Sequence, residues 1–372
     1  MSDAIFRNAF AGRKVLVTGH TGFKGSWLTN WLIELGADVT GYGLLPPSNP
    51  SHFNLLNLSQ KVHHIVGDIR DLSKLTGTIR QARPEIVFHL AAQPLVRQSY
   101  EEPRETFETN VMGTVNVFEA VRSNDSVSTI VNITSDKSYH NREIDHAYKE
   151  DEALGGFDPY SASKGAAEIV TGAYRNSFFT PASGIQLASV RAGNVIGGGD
   201  WAVDRIIPDS VRALTNGEPI QVRNPAAIRP WQHVLEPLAG YLWLGARMMT
   251  DDKRLDAAYN FGPTPEGHLT VENVVNSFLK TWGSGTWESP EAAATQPHEA
   301  HFLKLDSARS KRVLGWKPVW NSTETLSRTA GWYRDYYLKD KAAADLTNAD
   351  IAAYVTAART AKLAWTKLEV KK

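Results

Sequence analysis

The residues of this chain that could do chemistry are concentrated in one short segment. Ser135, Asp136 and Lys137 place a hydroxyl, a carboxyl and an amine directly after the apolar run 130–133. In open α/β sheets, ligands bind beyond the carboxyl ends of the strands, so polar side chains at such a strand end can meet a substrate. Taken alone, the segment is more often a polar turn with an exposed ion pair. The surrounding sequence has to decide between these interpretations.

Tyr160 and Lys164 form a second candidate group at the start of a predicted helix. Side chains four residues apart lie on one helical face. An ammonium beside a phenol favours the phenolate, so the sequence predicts that Lys164 lowers the pKa of Tyr160. Tyr160 is therefore a candidate base for a substrate hydroxyl. This spacing occurs in many unrelated proteins and gains force only from the motifs that precede it.

A glycine loop near the N-terminus predicts a dinucleotide site. Lys14–Thr18 is a β-branched run, and 26–35 carries apolar residues at helical spacing. Between them stand Gly19, Gly22 and Gly25, spaced G-x-x-G-x-x-G rather than G-x-G-x-x-G. Glycines let the backbone approach a diphosphate, and the helix N-terminus favours the anion.

Apolar runs alternate with helical patterns through the first half of the chain. The sequence predicts an α/β protein with a doubly wound parallel Rossmann sheet, followed by a smaller mixed α/β C-terminal substrate lobe. Further strands are predicted at 39–43, 62–66, 85–90, 130–133 and 186–190. The predicted domains are 1–190 with a return segment at about 232–260 for cofactor binding, and 191–231 with 261–372 for the nucleotide-sugar lobe and a helical tail.

Composition excludes several function classes. The 40 Lys and Arg residues balance 40 Asp and Glu residues, which argues against a general polyanion-binding surface and hence against nucleic acid as a partner. The absence of cysteine removes thiolate chemistry, disulfides and cysteine zinc sites, and we predict no metal. No apolar run is long enough to span a bilayer. We expect a soluble cytoplasmic protein.

The order of these motifs resembles the extended short-chain dehydrogenases/reductases. The resemblance covers about residues 14–332 and is strongest to the nucleoside-diphosphate-sugar 4,6-dehydratases, most of which carry Thr-Asp-Glu where this chain has Ser135-Asp136-Lys137. A lysine in the third place, together with the glycine-rich segment 193–201, resembles the branch of the family that acts on CDP-glucose.

The resemblance implies NAD as cofactor, a nucleotide-sugar substrate, a role in surface polysaccharide synthesis and a homodimer. The second strand lacks the usual ribose-binding acid at its end, so this position does not distinguish NAD from NADP. The implied cofactor-binding residues are Gly19, Thr21, Gly22, Phe23, Gly25, Asp68, Ile69, Ala91, Ala92, Gln93, Thr109, Tyr160 and Lys164. The expected substrate-binding residues are Asn110, Asn194, Arg205, Arg229 and Asn260.

The resemblance also implies roles for the catalytic residues. Tyr160, helped by Ser135 and Lys164, takes the proton of the sugar 4-hydroxyl while a hydride leaves C4. Lys137 is then the base at C5 and Asp136 the acid at the 6-hydroxyl, and the hydride returns to C6. The neutral Asp136–Lys137 pair has the same proton count as an ordinary ion pair, and a dry site penalises the charged form.

Three alternatives remain open at this stage. A 4-epimerase or decarboxylase shares the glycine loop and Tyr160 but needs no acid/base pair at C5 and C6. An inverting UDP-N-acetylglucosamine 4,6-dehydratase also pairs aspartate with lysine. A cofactor-sensing protein without activity is disfavoured by the joint presence of Ser135, Tyr160 and Lys164.

Overall fold

A central sheet of seven parallel strands organises the protein. The computed structural model describes residues 5–264, 267–289 and 302–367, and the strand order is β7-β6-β5-β4-β1-β2-β3. The predicted doubly wound α/β fold is confirmed. The strands are β1 Lys14–Thr18, β2 Asp38–Gly43, β3 His63–Val66, β4 Ile86–His89, β5 Thr129–Ile133, β6 Gln186–Ala192 and β7 Ala258–Phe261.

Helices cover both faces of this sheet and continue into the C-terminal part of the chain. They are α1 Phe23–Glu34, α2 Leu72–Ala82, α3 Val96–Glu101, α4 Pro103–Phe107, α5 Gly113–Arg122, α6 Pro159–Ser177, α7 Ile206–Asn216, α8 Leu235–Thr250, α9 Val271–Trp282, α10 Ala308–Leu314, α11 Ser322–Leu338 and α12 Ala343–Thr360. Short helical turns lie at Phe6–Asn8, His52–Leu55, Leu58–Gln60, Asp136–Ser138, Pro181–Ser183 and Ala364–Thr366.

Alternation along the strands explains why both sheet faces are covered. On β1, Val15 and Val17 belong to the core shared with α1 and α8, whereas Leu16 belongs to the core shared with α2 and α5. Successive strand side chains point to opposite faces, so an all-apolar strand needs a layer on each side. The six predicted strands lie within two residues of the observed ones. β7, which the sequence did not indicate, adds the seventh beside β6.

Residues 103–121 carry a helical pattern in the sequence, and the structure interrupts it at Thr109 and Asn110. A π-type turn, Glu108–Met112, separates α4 from α5. Such turns are rare and often occur at functional sites. Here the turn carries Asn110 inward, where the side chain is only 2% exposed and bonds to two other elements.

The C-terminal part of the chain forms short strand pairs around a second apolar core. That core contains Trp201, Trp231, Phe278 and Trp332. The strand pairs are Ala147–Tyr148 with Lys304–Leu305, Val195–Ile196 with Gln232–His233, Ile220–Gln221 with Trp287–Glu288, and Ile228–Pro230 with His268–Thr270.

The helical tail packs against the core of the main sheet. The sequence grouped α12 with the substrate lobe, but Tyr354 of α12 and Trp365 belong to the core beneath the main sheet, together with Trp31 of α1. Trp365 also stacks on Phe6, with ring centroids 4.8 Å apart. The predicted domain ends 1–4 and 368–372 lie outside the described residues, and the domain division itself stays a prediction.

Among the helices that the structure describes, none combines the length and apolar character needed to cross a bilayer.

Candidate active site

Asp136, the predicted catalytic acid, is buried in the short helical turn that follows β5. The Ser135 hydroxyl accepts a hydrogen bond from the Lys137 amide (3.2 Å) and donates one to Asp136 Oδ1 (3.0 Å). Asp136 is only 4% exposed, so it is not part of a solvated polar turn. Burial raises the pKa of Asp136, while the charge of Lys137 and the Ser135 hydrogen bond oppose that rise. The carboxyl therefore holds its proton more readily than a solvent-exposed aspartate does.

Tyr160 and Lys164 face this turn from the first two turns of α6. The helix begins at Asp158, whose carboxylate caps it by accepting from the Ser161 amide at 2.9 Å. The Lys164 and Lys137 ammonium groups each lie 6.0 Å from the Tyr160 ring centroid. One helix start and one strand end thus bring the other four predicted catalytic side chains around the Tyr160 phenol, and Ser135 lies close enough to affect its pKa.

The expectation that Lys164 lowers the pKa of Tyr160 is wrong for the free protein. Burial raises the pKa of Tyr160 to about 12, and the Ser135 hydrogen bond only partly opposes the rise. Burial also lowers the pKa of Lys164 to about 8. Desolvation disfavours both charged forms, and here it outweighs the attraction between ammonium and phenolate.

Asn110 ties the catalytic helix to the end of β4. Its side chain accepts from the Gln93 amide at 2.8 Å, and its Nδ2 donates to the Gln93 carbonyl and to Ser163 Oγ. Because Ser163 lies on α6 between Tyr160 and Lys164, the asparagine fixes that helix against the β4 loop. These contacts support a positioning role for Asn110, while the substrate contact that the sequence predicted stays a prediction.

The glycine loop leaves no room for side chains at two of its positions. Gly19 has φ +72°, and a Cβ there would lie 2.7 Å from the Ala91 amide nitrogen. A Cβ on Gly25 would lie 2.1 Å from the Gly19 carbonyl oxygen. α1 begins at Gly22, which offers no side-chain acceptor to the first turn. The amides at this helix start thus remain open to an anion, and the loop fits a dinucleotide diphosphate.

The other predicted cofactor residues border this loop. Thr21 Oγ1 donates to the Leu44 carbonyl just beyond β2, and Ala91, Ala92 and Gln93 follow β4. Thr109 lies in the π-type turn, and Phe23 opens α1.

The His20 ring packs against β2, whose end lacks the usual ribose-binding acid. A Cβ on Gly41 would lie 2.2 Å from the His20 ring, so the glycines of this strand make room for that side chain. His20 Nε2 lies 2.7 Å from His64 Nδ1. Burial lowers the pKa of His20 to about 4.

Asp68 lies after β3 and binds its neighbour rather than capping a helix. Its carboxylate accepts from the Arg70 amide at 2.8 Å and pairs with the Arg70 guanidinium. The cap of α2 is instead Asp71, which accepts from the Lys74 amide. Ile69 is buried against a helical glycine of α5.

Of the predicted substrate residues, Arg205 lies near the catalytic cluster, whereas Asn260 is buried in the sheet. Arg205, at the start of α7, pairs with Asp200 at 2.8 Å and lies within electrostatic reach of Tyr160. Asn260 is fully buried in β7, where it donates to the Tyr148 and Asp306 carbonyls and accepts from Tyr139. Its amide is fully used inside the protein, so a substrate contact would break these bonds.

The remaining two predicted substrate residues lie in the segment after β6. Arg229 belongs to the strand Ile228–Pro230 and donates to the Ile228 carbonyl, while the Asn194 carbonyl accepts from the Gln232 amide. Neither side chain is buried.

Two residues of the cluster escaped the sequence prediction. Gly193 lies so close to the acid that a Cβ there would be 3.1 Å from Asp136 Oδ2 and 2.8 Å from Pro230 Cγ. Lys24, in the glycine loop, lies within electrostatic reach of Lys164 and Asp136. A signal for Lys24 was present in the sequence, since it is the one Lys, Arg, Asp or Glu residue between Gly19 and Glu34.

Comparison with known proteins extends over most of the chain. Residues 16–329 match the family described as GDP-mannose 4,6 dehydratase. The chain is 52% identical over 335 residues to the CDP-glucose 4,6-dehydratase of Salmonella typhimurium, covering 89% of this chain and 93% of that protein.

Two solved structures illustrate the similarity in fold. MoeE5 in complex with UDP-glucose and NAD is 26% identical with a TM-score of 0.72, and covers 87% of this chain and 99% of its own. UDP-glucose 4-epimerase from Thermotoga maritima, solved with UDP-glucose, is 22% identical with a TM-score of 0.74 and the same coverage.

Proposed function

This chain belongs to the GDP-mannose 4,6 dehydratase family, and from that premise we propose that it is an NAD-dependent lyase that removes water from CDP-glucose to give CDP-4-keto-6-deoxyglucose. The observation that carries the proposal is the buried Asp136 beside Lys137, whose ammonium lies 6.0 Å from the Tyr160 ring centroid. The 52% identity to a CDP-glucose 4,6-dehydratase supports the choice of reaction and of nucleotide.

The loop of Gly19, Gly22 and Gly25 would hold NAD, which would supply the acceptor for the C4 hydride and the donor for C6. In this redox step the protein removes the proton of the 4-hydroxyl, and we assign that role to Tyr160. Because burial raises the pKa of Tyr160 to about 12, the free protein holds the neutral phenol. The positive charges of Lys164 and of the oxidised nicotinamide would both favour the phenolate once the cofactor is in place.

Elimination of water then needs a base and an acid on the C5–C6 bond. Lys137 takes the C5 proton, and Asp136 donates its proton to the 6-hydroxyl, which leaves as water when the C6–O bond breaks. Burial raises the pKa of Asp136, which suits an acid that must start protonated. After the hydride has added to C6, Lys137 returns its proton to C5.

The proton balance links the two ends of the site. The sugar loses one proton to Tyr160 and receives one from Asp136, while Lys137 gains and returns the same proton. The proton on Tyr160 must therefore reach Asp136 before the next turnover. We assign this transfer to Ser135, since its hydroxyl lies 3.0 Å from Asp136 Oδ1 and close enough to the Tyr160 phenol to affect its pKa.

Epimerases on the same scaffold would not require this arrangement. An epimerase reverses the hydride transfer at C4 and has no use for a buried acid beside Lys137. An inverting UDP-N-acetylglucosamine 4,6-dehydratase remains the second candidate, because it could use the same aspartate–lysine pair. We also propose, from family resemblance, that the protein is a cytoplasmic homodimer in surface polysaccharide synthesis.

Incubation with individual nucleotide sugars and NAD tests the proposal. With CDP-glucose we expect a product lighter by one water in mass spectrometry and an alkali-induced absorbance of a 4-keto sugar, both lost in Tyr160→Phe. Turnover of UDP-N-acetylglucosamine but not CDP-glucose would select the second candidate. Epimerised product without water loss would contradict the dehydratase assignment.

A further inference from the structure

Two arginines from distant parts of the chain converge on one carboxylate oxygen. Arg97 lies on α3, and its Nη1 is 3.4 Å from Asp204 Oδ1. Arg223 follows the strand Ile220–Gln221, and both of its terminal nitrogens donate to that same oxygen at 3.3 Å. Asp204 therefore joins the helix that follows β4 to the C-terminal part of the chain.

This arginine cluster borders the candidate active site on two sides. On α3, two residues beyond Arg97, Ser99 accepts a hydrogen bond from the Tyr160 amide at 3.1 Å. Arg205 directly follows Asp204 and lies within electrostatic reach of the Tyr160 phenol. In the proposed reaction Tyr160 takes the proton of the 4-hydroxyl, and the diphosphate is attached at C1, across the sugar ring. A diphosphate held by the cluster would thus lie about one sugar ring away from Tyr160.

The charge pattern of the cluster suits a diphosphate better than it suits a single carboxylate. Guanidinium groups form paired, charge-assisted hydrogen bonds to phosphate oxygens, typically at about 2.7–2.9 Å. Asp204 offers the two arginines one shared oxygen at longer distances. The diphosphate of a nucleotide sugar carries two negative charges and several oxygens, so it can satisfy both guanidinium groups more fully.

The contact between Asp204 and the arginines is weakly held. The side chains of Arg97, Asp204 and Arg223 are 32%, 39% and 33% exposed, and ion pairs this accessible to water contribute little to stability. Asp204 also has φ +60°, in the left-handed region that residues other than glycine rarely adopt. A displaced carboxylate would face water, so its release needs no new partner in the protein.

We propose that Asp204 is a latch at the substrate entrance, which holds Arg97 and Arg223 together until the diphosphate of the nucleotide sugar displaces its carboxylate. The inference rests on the proposed function. Asp204 acts through the two arginines and does not touch the reacting atoms, which makes it a positioning residue. Because substrate binding has to break its ion pairs, the latch weakens that binding, and its removal strengthens it. A residue that only oriented the arginines would have the opposite effect, since its loss would loosen them.

Calorimetric titration of the full-length protein with CDP, which carries the diphosphate and undergoes no reaction, tests the latch. In Asp204→Asn the Kd for CDP should fall about threefold to tenfold, because the competing charge has been removed. Asparagine tolerates the left-handed backbone, and Asp204→Gly is the second variant if the asparagine variant does not fold. The matched control is Glu218→Gln, which removes an equal charge from an exposed residue after α7 and should change Kd by less than about twofold.

The arginines provide a second test. In Arg223→Met the Kd for CDP should rise about threefold or more. Adding Asp204→Asn to that variant should strengthen binding less than it does in the wild-type protein, because one of the two guanidinium groups that it releases is gone. With CDP-glucose as substrate, Asp204→Asn should lower KM and leave kcat within about twofold, since the latch affects binding and not the chemical step.

The outcomes separate this inference from the function beneath it. A Kd for CDP that is unchanged or raised in both Asp204 variants overturns the latch and leaves the dehydratase assignment intact. A fall of the same size in Glu218→Gln would also overturn it, because general electrostatics would then explain the effect. If the wild-type protein binds CDP but does not dehydrate CDP-glucose, the proposed function fails, while a lower Kd in Asp204→Asn still supports displacement by a diphosphate. A wild-type protein that does not bind CDP would overturn the inference.

Discussion

Glu168 and Arg191 form a buried ion pair directly beneath the catalytic strand end, with Arg191 Nη2 2.8 Å from Glu168 Oε2 and both side chains 3% exposed. Glu168 also accepts hydrogen bonds from Thr134, the residue before Ser135, and from Ser189 of β6. The pair thus joins α6, β5 and β6 at the level where the active site begins.

Removing one partner of this pair should be costly for stability. In Arg191→Met, the Glu168 carboxylate is left buried without its counter-charge, and we expect the free energy of unfolding to fall by about 3–5 kcal/mol. The double variant Glu168→Gln/Arg191→Met should be more stable than the single one, because no charge remains unpaired. Urea unfolding of the three proteins measures both effects, and a double variant less stable than Arg191→Met would contradict this account.

Lys137→Glu should not behave as a conservative change. With Asp136 protonated, an ionised glutamate at position 137 gives the pair a net charge one unit more negative than that of the neutral Asp136–Lys137 pair. The balance between acid and base is then lost. We expect turnover to drop by about 10²-fold or more. Exchange of the C5 hydrogen with deuterated solvent should fall in parallel. The matched control is Lys137→Gln, which removes the base without adding charge. Wild-type exchange and rate in the glutamate variant would refute the proton inventory.

Gly193→Ala should impair catalysis by moving the acid. A Cβ at this position would lie 3.1 Å from Asp136 Oδ2 and 2.8 Å from Pro230 Cγ, so the carboxyl or the proline has to shift. Small displacements of catalytic groups reduce rates strongly, and we expect kcat to fall about tenfold or more. Gly172→Ala in α6 is the control, since a Cβ there meets nothing within 4 Å. It should keep full activity and gain up to about 1 kcal/mol of stability. Equal activity of both variants would argue against the contact.

Glu236 should make stability fall as pH rises. This fully buried residue of α8 accepts from the amides of Val319 and Trp320 and from the Tyr354 hydroxyl, and burial raises its pKa to about 7. Between its unfolded pKa near 4.5 and about 7, the folded state binds the proton that the unfolded state has released. The free energy of unfolding therefore decreases across this window, by about 3 kcal/mol from this group.

The measurement is urea unfolding at several pH values from 4.5 to 7.5. Glu236→Gln, which has nearly the same shape and no titration, should remove its share of the slope. Asp350, whose pKa burial also raises to about 7, should leave a residual slope of the same sign. An unchanged slope in Glu236→Gln would show that the carboxylate is already ionised in the folded protein at pH 5.

Sequence patterns predicted the main sheet well because buried parallel strands are continuous apolar runs. They missed β7, since Ala258–Phe261 is only four residues long and includes the polar Asn260. The interruption between α4 and α5 was also not predictable, because Glu108–Met112 continues the helical pattern and only tertiary contacts of Asn110 select the wider turn.

The candidate site shows a similar division. Asp136, Lys137, Tyr160 and Lys164 could be selected by order and spacing, and the fold then brings them together. The raised pKa of Tyr160 could not be predicted, because the sequence indicates which charges lie near the phenol but not how strongly burial desolvates it. Asn260 stays a predicted substrate residue, but its amide already donates to two carbonyls inside the protein, which the order Asn-Phe-Gly-Pro could not show.

The stacking of Trp365 on Phe6 has a consequence for how the protein is made. Phe6 is among the first described residues to leave the ribosome and Trp365 among the last, yet both seal the same core against Trp31. A nascent chain with all seven strands already synthesised would still expose that apolar surface until Trp365 emerged. Closure of this core therefore waits for the emergence of Trp365, and an incomplete chain exposes apolar surface that favours aggregation.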